Sequence, residues 1–102
     1  MGENREPDWQ GALRRARTHA PFLARALERQ PELAALLAAG DGEAALAWAR
    51  AQGTEPDAEL ALRRERLALA AALAVGDLAG AFPLPRVVGE LTGFADRALD
   101  RA

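Results

Sequence analysis

Residues 54–80 read TEPDAELALRRERLALAAALAVGDLAG, and the rest of the chain is arranged by them. Thr54 precedes Glu55, Pro56 and Asp57: a hydroxyl cap, a carboxylate three residues on and a proline just inside the first turn. A helix is therefore expected from Thr54, with no further proline until Pro83 and a stop at Gly80. At about 100° per residue, Leu60 and Leu67 point one way, while Leu62, Leu69 and Leu73 point nearly the opposite way. A surface helix carries one apolar stripe. This one carries two, and Leu67 to Val75 holds no polar residue. The pattern predicts a central helix packed on both flanks. Its nine continuously apolar residues are too few for a bilayer span, which needs about 20.

Outward from this helix, composition gives the same class. The apolar half of the 102 residues is mostly Ala (26) and Leu (16), with three Val and no Ile or Tyr. β-formers are scarce and helix-formers dominate, which predicts an all-α fold. The expectation is one small multi-helix bundle of about five to six helices around 54–80, with residues 1–7 flexible. Alanine-rich helices bury little area each, so the core should be thin. Its expected anchors are the leucines, Phe22 and Phe94, with Trp9 and Trp48 as further candidates.

Local signals divide the remaining chain. Asp8 is expected to cap a first helix that shows Trp9, Leu13, Ala16 and Ala20 on one face. Pro21 starts a second helix with Phe22, Leu23, Ala26 and Leu27 as its apolar side. Pro31 breaks it, and Leu33, Leu36 and Leu37 continue on a short segment that stops at Gly40. Asp41 caps a fourth helix carrying Leu46, Trp48 and Ala49, ended by Gly53. Phe82-Pro83-Leu84-Pro85 is a rigid turn. The last helix opens near Pro85, with Val87, Val88, Leu91, Phe94, Ala95, Ala98 and Leu99 on a single broad face expected to be buried.

Charge and residue inventory exclude several functions. Thirteen Arg, no Lys and fifteen carboxylates leave a net charge of −2, against a nucleic-acid binder with a basic face. No helix carries polar base-reading residues at successive turns, which argues further against a helix-turn-helix protein. Without Cys there is no disulfide, thiolate metal site or thiol catalysis, and without Ser no Ser/His/Asp set. The polar, acidic start from Met1 to Pro7 carries no secretory signal, so a cytoplasmic protein with no membrane partner is expected. His19, the one histidine, has no carboxylate at metal-ligand spacing and reads as a solvated or capping residue at a helix junction. No metal ligand or catalytic residue emerges from these side chains. The carboxylate pairs Glu28/Glu32 and Asp96/Asp100 read as solvated faces.

Two groups remain as candidate binding residues. Arg63, Arg64 and Arg66 form the densest basic cluster. They are either a phosphate contact or domain anchor, or locally paired, Glu59 lying four residues before Arg63. Arg66, at the edge of the Leu62/Leu69/Leu73 face, is expected to have a partly buried stem and a specific partner. Gly89 and Gly93 sit four apart inside the last helix, where each costs about 1 kcal/mol relative to alanine. Either another helix or domain docks closely on them, or they carry no role.

Three segments resemble a known family. Ala20-Pro21-Phe22-Leu23-Ala24-Arg25, followed by Pro31-Glu32-Leu33, resembles the SPFLARLL…PEL opening of bacterial glutamine-synthetase adenylyltransferases, bifunctional adenylylating and deadenylylating enzymes. Leu62-Arg63-Arg64 with the run Leu73 to Gly80 is similar to that family's LRR…R..LLIALADLAG stretch. Pro83 to Val88 and Leu91 to Asp96 resemble its WPLEEVTAALSDFAD segment. Order and approximate spacing agree over residues 20–102. Gly76 departs from a usual alanine, and Gly89 and Gly93 stand where the family has small residues.

The resemblance implies a non-catalytic N-terminal helical subdomain that precedes a nucleotidyltransferase domain, which here would be missing. That domain's G-x-S-D-x-D-type carboxylates bind metal and nucleotide, and no carboxylate here takes their place. The whole enzyme would use ATP and Mg to transfer AMP to a tyrosine of glutamine synthetase, or remove it by phosphorolysis, under a PII signal protein. The Arg63/Arg64/Arg66 group and the Gly89/Gly93 side would then face the missing domain. The alternative is a stand-alone helical interaction or dimerisation module that exposes an Ala/Leu groove.

Overall fold

The computed structural model describes residues 6–101, so for Met1–Arg5 the expected flexibility of the leading segment lies outside the described residues. Six α-helices follow one another: α1 Trp9–His19, α2 Pro21–Arg29, α3 Pro31–Ala38, α4 Gly42–Ala51, α5 Ala58–Ala79 and α6 Leu84–Arg101. A 3-10 turn, Gln52–Thr54, joins α4 to α5. There is no strand among the described residues, and the all-α bundle around one central helix is the observed architecture.

Local chemistry sets most helix boundaries. The Asp8 carboxylate accepts the Gly11 N–H at 2.9 Å, and Asp41 accepts from Ala44 at 3.0 Å, so both expected caps are made. Pro21 and Pro31 occupy first helical positions, where a missing N–H costs no hydrogen bond. Gly40 and Gly80 adopt positive φ (77° and 80°) and end α3 and α5.

The expected opening of the central helix needs correction. The cap is Asp57, whose carboxylate accepts from the N–H groups of Glu59 (3.0 Å) and Leu60 (3.1 Å). Thr54 lies in the 3-10 turn, and its hydroxyl donates to the Ala51 carbonyl at 2.7 Å. A carboxylate that takes two amide protons at the positive helix end outcompetes a hydroxyl one turn earlier.

All five other helices pack on α5. Neither leucine row of α5 is left to solvent: Leu69 and Leu73 are buried, and Leu60, Leu62 and Leu67 are half-buried. The deepest line runs between the rows, through Ala61, Ala68, Ala72 and Ala79, where small side chains let α1 and α4 come close. Leu13, Leu27, Leu33, Leu37 and Leu46 fill the spaces between the short helices.

The aromatic anchors agree with expectation in part. Trp9, Trp48 and Phe94 are half-buried against the core, Phe22 is 57 % exposed, and Phe82 in the α5–α6 turn, not among those expected, is buried. Its ring meets Trp9 edge to face (centroids 6.0 Å apart, 77° between planes) and lies under the Arg86 guanidinium at 5.6 Å. The ring also rests on bare backbone. Its Cδ2, Cε2 and Cγ atoms occupy the space a Gly76 side chain would take, and Gly42 would likewise drive a Cβ against Phe82 and Trp9. The bare backbone at Gly76 therefore has a structural reason.

Candidate functional site

The apolar face of α6 is only half turned inward: of the residues expected to be buried, Val87, Phe94 and Ala98 are half-buried, with Val87 and Phe94 against the core, while Val88, Leu91, Ala95 and Leu99 are exposed. The inward side of the helix mixes Arg86, Glu90, Gly93 and Arg97 with Val87, Phe94 and Ala98, all of them half-buried. The face containing Val88, Leu91, Ala95 and Leu99 points outward. Leu84 is 72 %, Val88 51 %, Leu91 48 % and Leu99 74 % exposed.

Ion pairs impose this orientation. Glu65, fully buried on α5, accepts from Arg97 Nε at 3.0 Å and Nη2 at 2.6 Å. A second group ties α6 to α4 through four alternating charges. Arg86 makes a bidentate contact with Glu43 (2.9 and 2.7 Å) and a third bond to Glu90 (3.1 Å), which also accepts from Arg50 (3.0 Å). Paired forks of this kind fix direction as well as distance. The hydrogen bonds from Arg86 hold the Glu43 carboxyl below its ordinary value, against a smaller opposing effect of burial. The Arg86 guanidinium is in turn held more firmly protonated, first by Glu43 and then by Glu90.

The three candidate arginines do not converge. Arg63 and Arg66 are exposed and edge a shallow hollow with Glu59, Leu62, Phe94 and Ala98. Arg64 leaves the other side of α5, pairs with Glu55 at 3.1 Å and borders a separate cavity beside Trp48 and Leu67. The expected Glu59–Arg63 pair is not formed among the described residues. Nor is Arg66 partly buried with a fixed partner: it falls outside the arc of α5 that its neighbours cover.

The two glycines also differ from each other. Gly93 is half-buried, and a Cβ there would stand 3.3 Å from Arg97 Nη1, so its bareness gives that guanidinium room to reach Glu65. Gly89 is exposed with nothing within 4 Å of a Cβ, and nothing in the structure explains it. His19, Glu28, Glu32, Asp96 and Asp100 are all exposed. Among the described residues no three His, Cys, Asp or Glu side chains gather as a metal site, and no helix is long and apolar enough to cross a membrane.

Reading the sequence missed Glu65, Arg97 and Arg86. A signal for Glu65 was present, since it stands on the alanine side of α5 between two leucine rows, where a lone carboxylate calls for a cation. Its partner 32 residues away carried no local mark.

Two concave features accompany the ridge. One groove between α5 and α6 is lined by Ala70, Leu73, Ala74 and Asp77 with Leu84, Val87 and Leu91. The other is the cavity near Arg64, walled by α2, the start of α3, α4 and α5. Comparison of the chain with protein-family models, with curated proteins and with solved structures finds no match in any of the three.

Proposed function

We propose that this chain is a non-catalytic helical interaction module that pairs with a second copy of itself along the outward ridge of α6. The observation that carries the reading is the turned mounting of that helix, whose Arg86, Glu90 and Arg97 bind α4 and α5 and whose Val87 and Phe94 rest on the core, while Leu84, Val88, Leu91 and Leu99 stay exposed. Leu84, Val88, Leu91 and Ala95 follow at steps of four, three and four residues, the spacing of a two-helix seam, and Leu99 lies exposed beside its next position, Ala98. The large side chains leave roughly 400 Å² of apolar surface open, the scale of the largest patch on an ordinary monomer, which is often functional.

The flanks are self-complementary. Asp77 stands beside Leu84, Val87 and Leu91 at one end, and Arg63 and Arg66, with Glu59, beside Phe94 and Ala98 at the other. A two-fold axis that sets α6 antiparallel to its copy would bring Asp77 of each chain towards Arg63 and Arg66 of the other. Two such ridges would bury roughly 800 Å² of apolar surface, at the small end of specific contacts, so a weak, reversible dimer is expected.

Sedimentation equilibrium over a wide concentration range tests this. A reversible dimer is expected, abolished by Leu91→Asp with the helical circular dichroism unchanged and weakened by Asp77→Arg. A chain that stays monomeric throughout, or a dimer indifferent to Leu91→Asp, overturns it.

A second reading is supported by the adenylyltransferase-like segments, which fall on α2, the start of α3, α5, the turn after it and the first two-thirds of α6. In that setting the chain would be a cytoplasmic enzyme's helical subdomain, and the ridge would be covered by the nucleotidyltransferase domain, where ATP and Mg bind. Its test is a monomeric chain that co-sediments with glutamine synthetase or a PII signal protein. Absence of both interactions removes it.

A further inference from the structure

The cavity on the opposite side of α5 has a different character from the ridge. It encloses about 590 Å³, within the range of small-molecule sites. Trp48, half-buried on α4, and Leu67 on α5 line it, with Phe22 at its lip. Three guanidinium groups, Arg25, Arg29 and Arg64, border it against one carboxylate, Glu32.

The arginines are not equivalent. Arg64 is engaged by Glu55, whereas among the described residues the guanidinium groups of Arg25 and Arg29 make no ion pair or hydrogen bond. They stand four residues apart on one helix, a spacing at which like charges weaken it. The exposed Phe22 leaves apolar surface in water, beside two like-charged guanidinium groups that form no ion pair with the one bordering carboxylate. An anion with an apolar body relieves both at once.

We propose that this cavity binds a small amphipathic carboxylate. Its aliphatic or aromatic body lies against Phe22, Trp48 and Leu67, and its carboxylate bridges Arg25 and Arg29. The fork geometry of arginine suits a carboxylate better than a neutral head group would. The site is separate from the α6 ridge, so it stands whether or not the chain dimerises.

The test uses the full chain and three ten-carbon probes: decanoate, decanol and decylamine, each below its micelle concentration. Trp48 lines the cavity, whereas Trp9 is packed on Phe82, so intrinsic fluorescence reports occupancy and Trp48→Phe is the control for the source of the signal. Decanoate is expected to give a saturable change, with decanol at least about tenfold weaker and decylamine weaker still. The double variant Arg25→Gln/Arg29→Gln, altered at exposed positions, is expected to lose about tenfold or more in decanoate affinity with its helical dichroism unchanged. Calorimetry reads the same affinity without tryptophan, and Leu91→Asp should leave it unaltered. No saturation with decanoate, equal binding of the three probes, or full affinity in the double variant overturns the proposal.

Discussion

Replacing Gly76 by alanine tests the turn that fixes α6. Inside a helix, Gly→Ala on its own stabilises by about 1 kcal/mol. Here the new Cβ falls inside the ring of Phe82, which is buried and held by Trp9 on one side and Arg86 above. Moving the ring gives up part of an aromatic pair worth about 0.5–1.5 kcal/mol and a cation–π contact of about 0.5–1 kcal/mol. Overpacking adds about 1–3 kcal/mol. The clash wins, and Gly76→Ala should destabilise by about 2 kcal/mol, which lowers Tm by about 10 °C in a domain of this size. Urea and thermal unfolding followed by circular dichroism measure it. The decisive comparison is the Phe82→Ala background, where the ring is gone. There the same substitution should be neutral or stabilising. If Gly76→Ala stabilises the parent chain, or costs the same in both backgrounds, the account of this turn is wrong.

Two further outcomes follow from the core and the α4–α6 tie. Leu69→Ala and Leu73→Ala, at buried positions, should each cost about 2–5 kcal/mol in urea unfolding, and a cost below about 1 kcal/mol would contradict enclosure of that flank. The Glu43 carboxyl is held below its ordinary value of 4.5, chiefly by hydrogen bonds from Arg86. Its stabilising contribution is then complete above that value and lost as pH falls through the depressed one. The difference in urea midpoint between the parent chain and Glu43→Gln should be largest near neutral pH and shrink progressively as the pH falls below 4.5. A pH-independent difference would refute it.

Helix order and most boundaries were legible because their causes are local. Proline at a first turn, glycine at a last and aspartate at a cap each act within four residues, as at Pro21, Pro31, Asp41 and Gly80. The start of α5 was misplaced because two capping patterns overlap there, and the one with the charged side chain closer to the helix prevailed. The two flanks of α5 could be read from its leucines, yet the rotation of α6 could not. Periodicity gives the width of an apolar face, not the direction it is turned. That direction is set by Arg97 reaching back 32 residues to Glu65 and Arg86 reaching back 43 to Glu43. The choice of Phe82 over Phe22 as the core aromatic has the same origin, since it depends on bare backbone at Gly42 and Gly76. The cavity beside Trp48 was likewise hidden, being assembled from helices that are distant in sequence.

A helix docked through charges responds to its surroundings unlike the leucine-filled body. The hydration that opposes ion pairing weakens on warming, so the α6 attachment should keep its strength at temperatures where loss of chain entropy erodes the rest. Added salt acts selectively. It screens the partly exposed Glu43–Arg86–Glu90–Arg50 chain and barely reaches the carboxylate of Glu65, so ionic strength should loosen the start of α6 while its later turns stay in place.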